Sequence, residues 1–175
     1  MTDTYTATDT DADTRGDLRP PGLNADEKTT LPAFLDYLRD AVAAKTVGVT
    51  EEQARKPGVD SGTSLLGLVK HLTSVELNWF EWAYAGKRTD RWDDAAPIAD
   101  GETVDEVVDG YRAAVVRSNE IAAACEDLNR PGARSLRETP PPSMRWVLVH
   151  MIEETARHAG HADILREQLD GSTGR

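Results

Sequence analysis

The sequence predicts an all-α protein, a four-helix bundle with a long connection between its second and third long helices. Three observations predict it. Four segments carry apolar residues at the three-and-four spacing of one helix face. Side chains suited to capping stand where those segments begin. No stretch alternates apolar and polar residues as a half-buried strand would.

The first long helix is expected to take Thr30 as N-cap and Pro32 in its first turn, with Leu31, Phe34, Leu35, Leu38 and Val42 at helical spacing. Thr50-Glu51-Glu52-Gln53 fits a capping box and opens a short helix that Pro57 and Gly58 end. The second long helix is expected from near Ser61 or Thr63. It carries Leu65, Leu68, Val69, Leu72, Val75, Trp79 and Trp82 and stops at Gly86. A second capping box, Thr103-Val104-Asp105-Glu106, opens the third, with Val107, Tyr111, Ala114, Val115, Ile121 and Ala122, ending before Pro131. Pro140-Pro141-Pro142 cannot continue a helix, so Ser143 is placed to cap the fourth. That one runs from Met144 to about Leu169 and stops at Gly171. The 87–102 connection, with Trp92 followed by acidic, Pro and Ala residues, is long for a compact domain and reads equally as a lid or a packed strap.

Ahead of the bundle, residues 1–22 read as a disordered Thr/Asp-rich tail, and 23–171 as the folded domain. Up to residue 28 there are seven acids against three bases, so −4 of the net −11 lies there. An acidic chain offers nothing to neutralise a phosphate array, which argues against nucleic acid and anionic membrane as partners. No run approaches the ~20 apolar residues of a membrane span, and no signal pattern opens the chain, so the expected location is cytoplasmic. The single cysteine, Cys125, excludes an internal disulfide and a cysteine zinc site.

Chemistry concentrates in the histidines. His71 lies in the second long helix, and His150, His158 and His161 lie in the fourth. At ~100° per residue, positions 150, 154, 158 and 161 fall within about 80° of arc, so Glu154 joins three imidazoles on one stripe. Apolar Val147, Met151, Ala162 and Leu165 flank it and turn it partly inward, where polar groups need partners. Glu154 and His158, one turn apart, have the spacing that lets two side chains reach one ion, and His71 can supply a third ligand. Three ligands would leave a position open, as in a catalytic zinc site. A hydrogen-bonded core histidine and a solvated Glu/His pair explain the same spacing. His150 reads as structural or as a pocket rim, and Arg157 as solvent-exposed or as a binder of a substrate carboxylate. Asp163 and Arg166 read as a pair, and Trp79 and Trp82 as core.

The segment Leu68-Val69-Lys70-His71-Leu72-Thr73-Ser74-Val75-Glu76-Leu77-Asn78-Trp79-Phe80 resembles the second-helix motif of the DinB/YfiT-like superfamily. Glu154-Thr155-Ala156-Arg157-His158-Ala159-Gly160-His161-Ala162-Asp163-Ile164-Leu165-Arg166-Glu167 resembles the fourth-helix signature of its actinobacterial branch. The resemblance covers roughly residues 23–170. It implies a bundle holding a divalent metal through His71, Glu154 and His158, with zinc expected first and nickel, manganese or iron as alternatives. Many members have His-x-x-x-His followed by Arg-Gly-Gln, and Glu154 stands here in place of their first histidine. The mycothiol-dependent maleylpyruvate isomerases of the superfamily also use a His, Glu, His set. His161 would replace the family glutamine, as a ligand or catalytic base or as a hydrogen-bonded support. Members are often homodimers.

The resemblance further implies thiol chemistry: a metal-dependent transferase that activates a low-molecular-weight thiol of the mycothiol type for addition to a small electrophile. A hydrolase using metal-bound water and a non-catalytic small-molecule-binding protein are the alternatives. Cys125, in what reads as packed helix, is not expected to be the nucleophile, so the thiol comes from outside.

Overall fold

The structure is a computed structural model that describes residues 19–22 and 24–174. The expected tail therefore lies almost wholly outside the described residues. Helix α1 spans Glu27–Ala44, α2 Glu51–Arg55, α3 Leu65–Leu77, α4 Val104–Ala123 and α5 Met144–Asp170. A π-helical segment, Asn78–Tyr84, continues α3. Among the described residues there is no strand, and Pro131 and Ser143 form one isolated bridge. The long helices close a ring in which α1 packs on α5, α5 on α3, α3 on α4 and α4 on α1. That is the expected four-helix arrangement, with short α2 set against α3.

Local capping chemistry sets most of the boundaries. Thr50 and Thr103 each form the reciprocal capping box, with Gln53 and Glu106 as partners. Ser143 accepts from the Trp146 amide, and Gly171 ends α5 at φ 76, where a Cβ would be strained. Two starts differ from expectation. The cap of α1 is Asp26, not Thr30: the Asp26 carboxylate takes the Thr29 amide at 2.8 Å, and the Thr30 hydroxyl turns back to the Asp26 carbonyl. A carboxylate is the better acceptor for a free helix amide, so the helix begins one turn earlier. Pro32 consequently lies inside α1 and removes one main-chain donor. α3 is capped by Ser64, whose Oγ accepts from the Gly67 amide at 3.1 Å, rather than starting at Ser61 or Thr63.

The core runs the length of the bundle. Leu35, Phe80, Met144, Leu148 and Met151 fill one end, and Val42, Leu66, Val69, Leu72 and Tyr111 fill the middle. Within it lies a buried ion pair. Arg39 of α1 donates from Nε and Nη2 to both oxygens of Glu76 on α3, at 2.8 and 2.6 Å, and from Nη1 to Asp36 and Asn119. Glu76 thereby holds a charge in a site with no solvent exposure, which only such full pairing permits.

The π segment was not expected, and its surroundings explain it. The 130–134 loop docks against it, with the amides of Ala133 and Arg134 donating to the carbonyls of Ala83 and Tyr84. Gly132 makes this possible, since a Cβ there would meet Tyr84 Cα at 2.8 Å. Carbonyls released from regular helical bonding are satisfied by that loop. The 87–102 connection is a strap along α3. Trp82 Nε1 donates to the Thr89 carbonyl, Asn78 bonds both main-chain groups of Trp92, and Ser74 Oγ donates to the Asp93 carbonyl.

Candidate metal centre

α3 and α5 pack together so that His71 faces Glu154 and His158. Glu154 Oε1 lies 3.0 Å from His158 Nε2, one turn along its own helix, and 3.4 Å from His71 Nε2 across the interface. The two imidazoles meet edge to face with centroids 4.9 Å apart. One donor atom from each of His71, Glu154 and His158 lies within 4.8 Å of the other two, so the trio can hold a metal ion. Their side chains keep 30%, 16% and 20% exposure for His71, His158 and Glu154, which leaves the centre reachable from outside.

The electrostatics favour the ligand forms. Burial raises the Glu154 carboxyl, but the adjacent His158 and His71 outweigh it and hold the group below its usual 4.5. Burial pushes His158 below 6.5, and Glu154 only partly offsets that. At neutral pH the centre therefore presents a carboxylate beside an imidazole with a lone pair, which metal coordination requires.

The strap sets the state of His71. Its Nδ1 lies 2.8 Å from the Asp94 carbonyl, which can only accept, so Nδ1 carries a proton. In the neutral ring Nε2 is then a lone pair facing the Glu154 oxygen. In that form two acceptors face each other, a conflict that a cation between them, or a second proton on the ring, resolves. A carbonyl that orients a histidine through its far nitrogen is the usual support of a metal ligand. Two imidazoles and a carboxylate fit a divalent ion of the zinc type.

The remaining residues separate cleanly. His161 lies one turn beyond His158, its Nδ1 3.4 Å from that of His158, and is outside the three-donor group. His150 turns away into an aromatic cluster, stacked on Trp146 at 5.0 Å and edge-on to Trp79 at 4.8 Å, with Glu153 beside its Nδ1. Arg157 pairs with Glu153 in solvent. Asp163 and Arg166 do not pair. Asp163 reaches Lys45 at 2.7 Å, while Arg166 holds Asp170 and the carbonyls of Lys45 and Val47, because the end of α1 lies between them. Trp79 is core, but Trp82 is half-buried, with Arg91 and Arg134 over its ring. Cys125 lies just past α4 rather than within it, 3% exposed, accepting from the Tyr84 hydroxyl.

Sequence reasoning did not find the Asp94 carbonyl, since a main-chain group carries no residue signature. Trp146 was also missed. Its position four before His150 was the available signal.

Comparison with known proteins bears on this geometry. No curated protein matches the chain. Among solved structures, one described as the conserved protein of locus from Enterococcus faecalis is similar in fold, with a TM-score of 0.62 at 16% identity. The match covers 84% of this chain and 99% of that one. A family profile described as Mycothiol-S-transferase matches residues 30–171, which takes in all four long helices but the first turn of α1, and all three donors of the centre. The chain belongs to the mycothiol S-transferase family, of DinB-like type.

Proposed function

We propose that this protein catalyses a divalent-metal-dependent transfer in which a low-molecular-weight thiol of the mycothiol type adds to a small electrophile. His71, Glu154 and His158 are the metal ligands in this reading. Zinc is the first choice of ion for that donor set, with nickel, manganese and iron as alternatives. What carries the proposal is the convergence of the three donor atoms within 4.8 Å in a chain of this family. When bound, the ion supplies a positive charge that makes a thiol reaching it ionise at neutral pH.

The chain's own residues do the rest. His71 presents Nε2 because Asp94 holds Nδ1. Glu154 contributes negative charge, moderating the field that the thiol meets. His161, exposed beside His158, takes the thiol proton as it leaves. Cys125 is not the nucleophile, because it is buried and bonded to Tyr84 and the Asp127 carbonyl. The reading keeps the cytoplasmic location expected from the sequence and the homodimer that the family resemblance implies, and neither alters the chemistry.

The test supplies mycothiol with a panel of electrophiles and esters. Thiol and electrophile should disappear together, chelation should stop the reaction, and added zinc should restore it. His161→Ala should slow turnover by about 100-fold while retaining the ion. Ester cleavage without thiol consumption would make water the nucleophile, and no turnover on either panel would leave a binding role; both overturn the proposal.

A further inference from the structure

Three consecutive carbonyls of the strap are read by one face of α3 and its continuation. Trp92 O accepts from Asn78 Nδ2 at 3.0 Å, Asp93 O from Ser74 Oγ at 3.1 Å, and Asp94 O from His71 Nδ1 at 2.8 Å. The spacing 71, 74, 78 puts the three side chains on a single helical stripe. The contacts are unequal. Ser74 and His71 each make one bond, which a strap shifted in position could replace with water. Asn78 makes two, since its Oδ1 also accepts from the Trp92 amide at 2.9 Å. Its amide thus closes a ring with both main-chain groups of one strap residue, as paired strands do. Asn78 is 3% exposed, so water cannot take over either bond without opening the packing.

We propose that Asn78 is a positioning residue for the metal centre, acting through the strap on His71. By locking the register at Trp92 it places the Asp94 carbonyl, two residues on, against His71 Nδ1. That carbonyl keeps the proton on Nδ1 and the lone pair on Nε2, where Glu154 and His158 converge. Asn78 touches neither the ion nor substrate. The inference rests on the reading of His71 as a ligand, but only in part, because the ring's protonated nitrogen can be observed without any ion.

The experiment compares wild type with Asn78→Ala and Asn78→Asp. The aspartate keeps the acceptor for the Trp92 amide, loses the donor to its carbonyl, and carries the test if the alanine variant does not fold. Trp82→Phe is the control, since it removes the Trp82–Thr89 bond at the other end of the strap while keeping an aromatic ring beneath Arg91 and Arg134. In chelator-treated protein at neutral pH, nitrogen NMR of the His71 ring should show the Nδ1–H form in wild type and Trp82→Phe, and a mixture of both tautomers in the Asn78 variants. Zinc affinity, measured by competition with a chromophoric chelator, should fall about 10-fold in the Asn78 variants, the loss typical of a broken supporting bond. It should stay unchanged in Trp82→Phe. Unchanged tautomer and affinity in a folded Asn78 variant, while His71→Ala loses its zinc, would overturn this inference and leave the metal reading intact. Equal losses in Trp82→Phe would also overturn it, by showing general loosening of the strap. Zinc retained in His71→Ala with the tautomer shift present would overturn the metal reading alone.

Discussion

Glu154 is the hinge of the candidate centre, because a single oxygen of its carboxylate faces both imidazoles. Glu154→Gln keeps the shape and removes the charge. Zinc affinity by chelator competition should drop by more than about 10-fold, the loss that follows even when a supporting partner is removed. His150, on the same stripe, gives a different prediction. Burial against Trp79 and Trp146 pushes its imidazole below 6.5, and nearby Glu154 and Glu153 offset this only in part. The unfolded chain then binds the proton more readily, so this contribution to stability is present above about pH 6.5 and is lost as pH falls below it. In metal-stripped protein, His150→Phe should flatten the fall in Tm between pH 7 and pH 5.5. An unchanged slope would mean that other groups set it. The stripe itself was legible because helical periodicity alone puts positions 150, 154, 158 and 161 together. Which histidine turns to the candidate centre and which to an aromatic neighbour was not, since that depends on the residues packed opposite α5.

At the scale of the elements, the buried Arg39–Glu76 pair ties α1 to α3 and, through Asn119, to α4. Arg39→Ala leaves the Glu76 carboxylate buried and unpaired, and should cost about 3–5 kcal/mol in denaturant unfolding. Arg39→Met with Glu76→Leu should recover most of that, because the pair's attraction is largely spent on its own desolvation. Gly132→Ala sets a Cβ against the Tyr84 backbone and should cost about 1–3 kcal/mol by forcing the 130–134 loop off the π segment. Both capping boxes and the ends of α5 were legible, being local contests between a side chain and the nearest free amides. Thr30 misled because Pro32 two residues on imitates the start of a helix, whereas the Asp26 carboxylate was the stronger acceptor. The π segment was invisible for a tertiary reason: its carbonyls are taken up by a loop some fifty residues away in sequence.

For the whole molecule, the four long helices bring two distant motifs, around His71 and around His158, onto one interface, and that is where the family match and the geometry meet. If an ion binds the folded chain alone, it must stabilise it. At 100 times its Kd the gain is about 2.7 kcal/mol. For a chain of this size that corresponds to a rise in Tm of about 5–10 °C on adding zinc to stripped protein. Glu154→Gln should reduce that rise. The sequence is acidic overall, at −11, and among the described residues one small half-buried cluster of two imidazoles and a carboxylate can hold a cation. Elemental analysis of purified protein is the sharpest test of the three-ligand centre. Wild type should carry one divalent ion per chain and folded His71→Ala almost none; wild type without a stoichiometric ion, or His71→Ala with its full complement, would refute the assignment of His71 as a ligand.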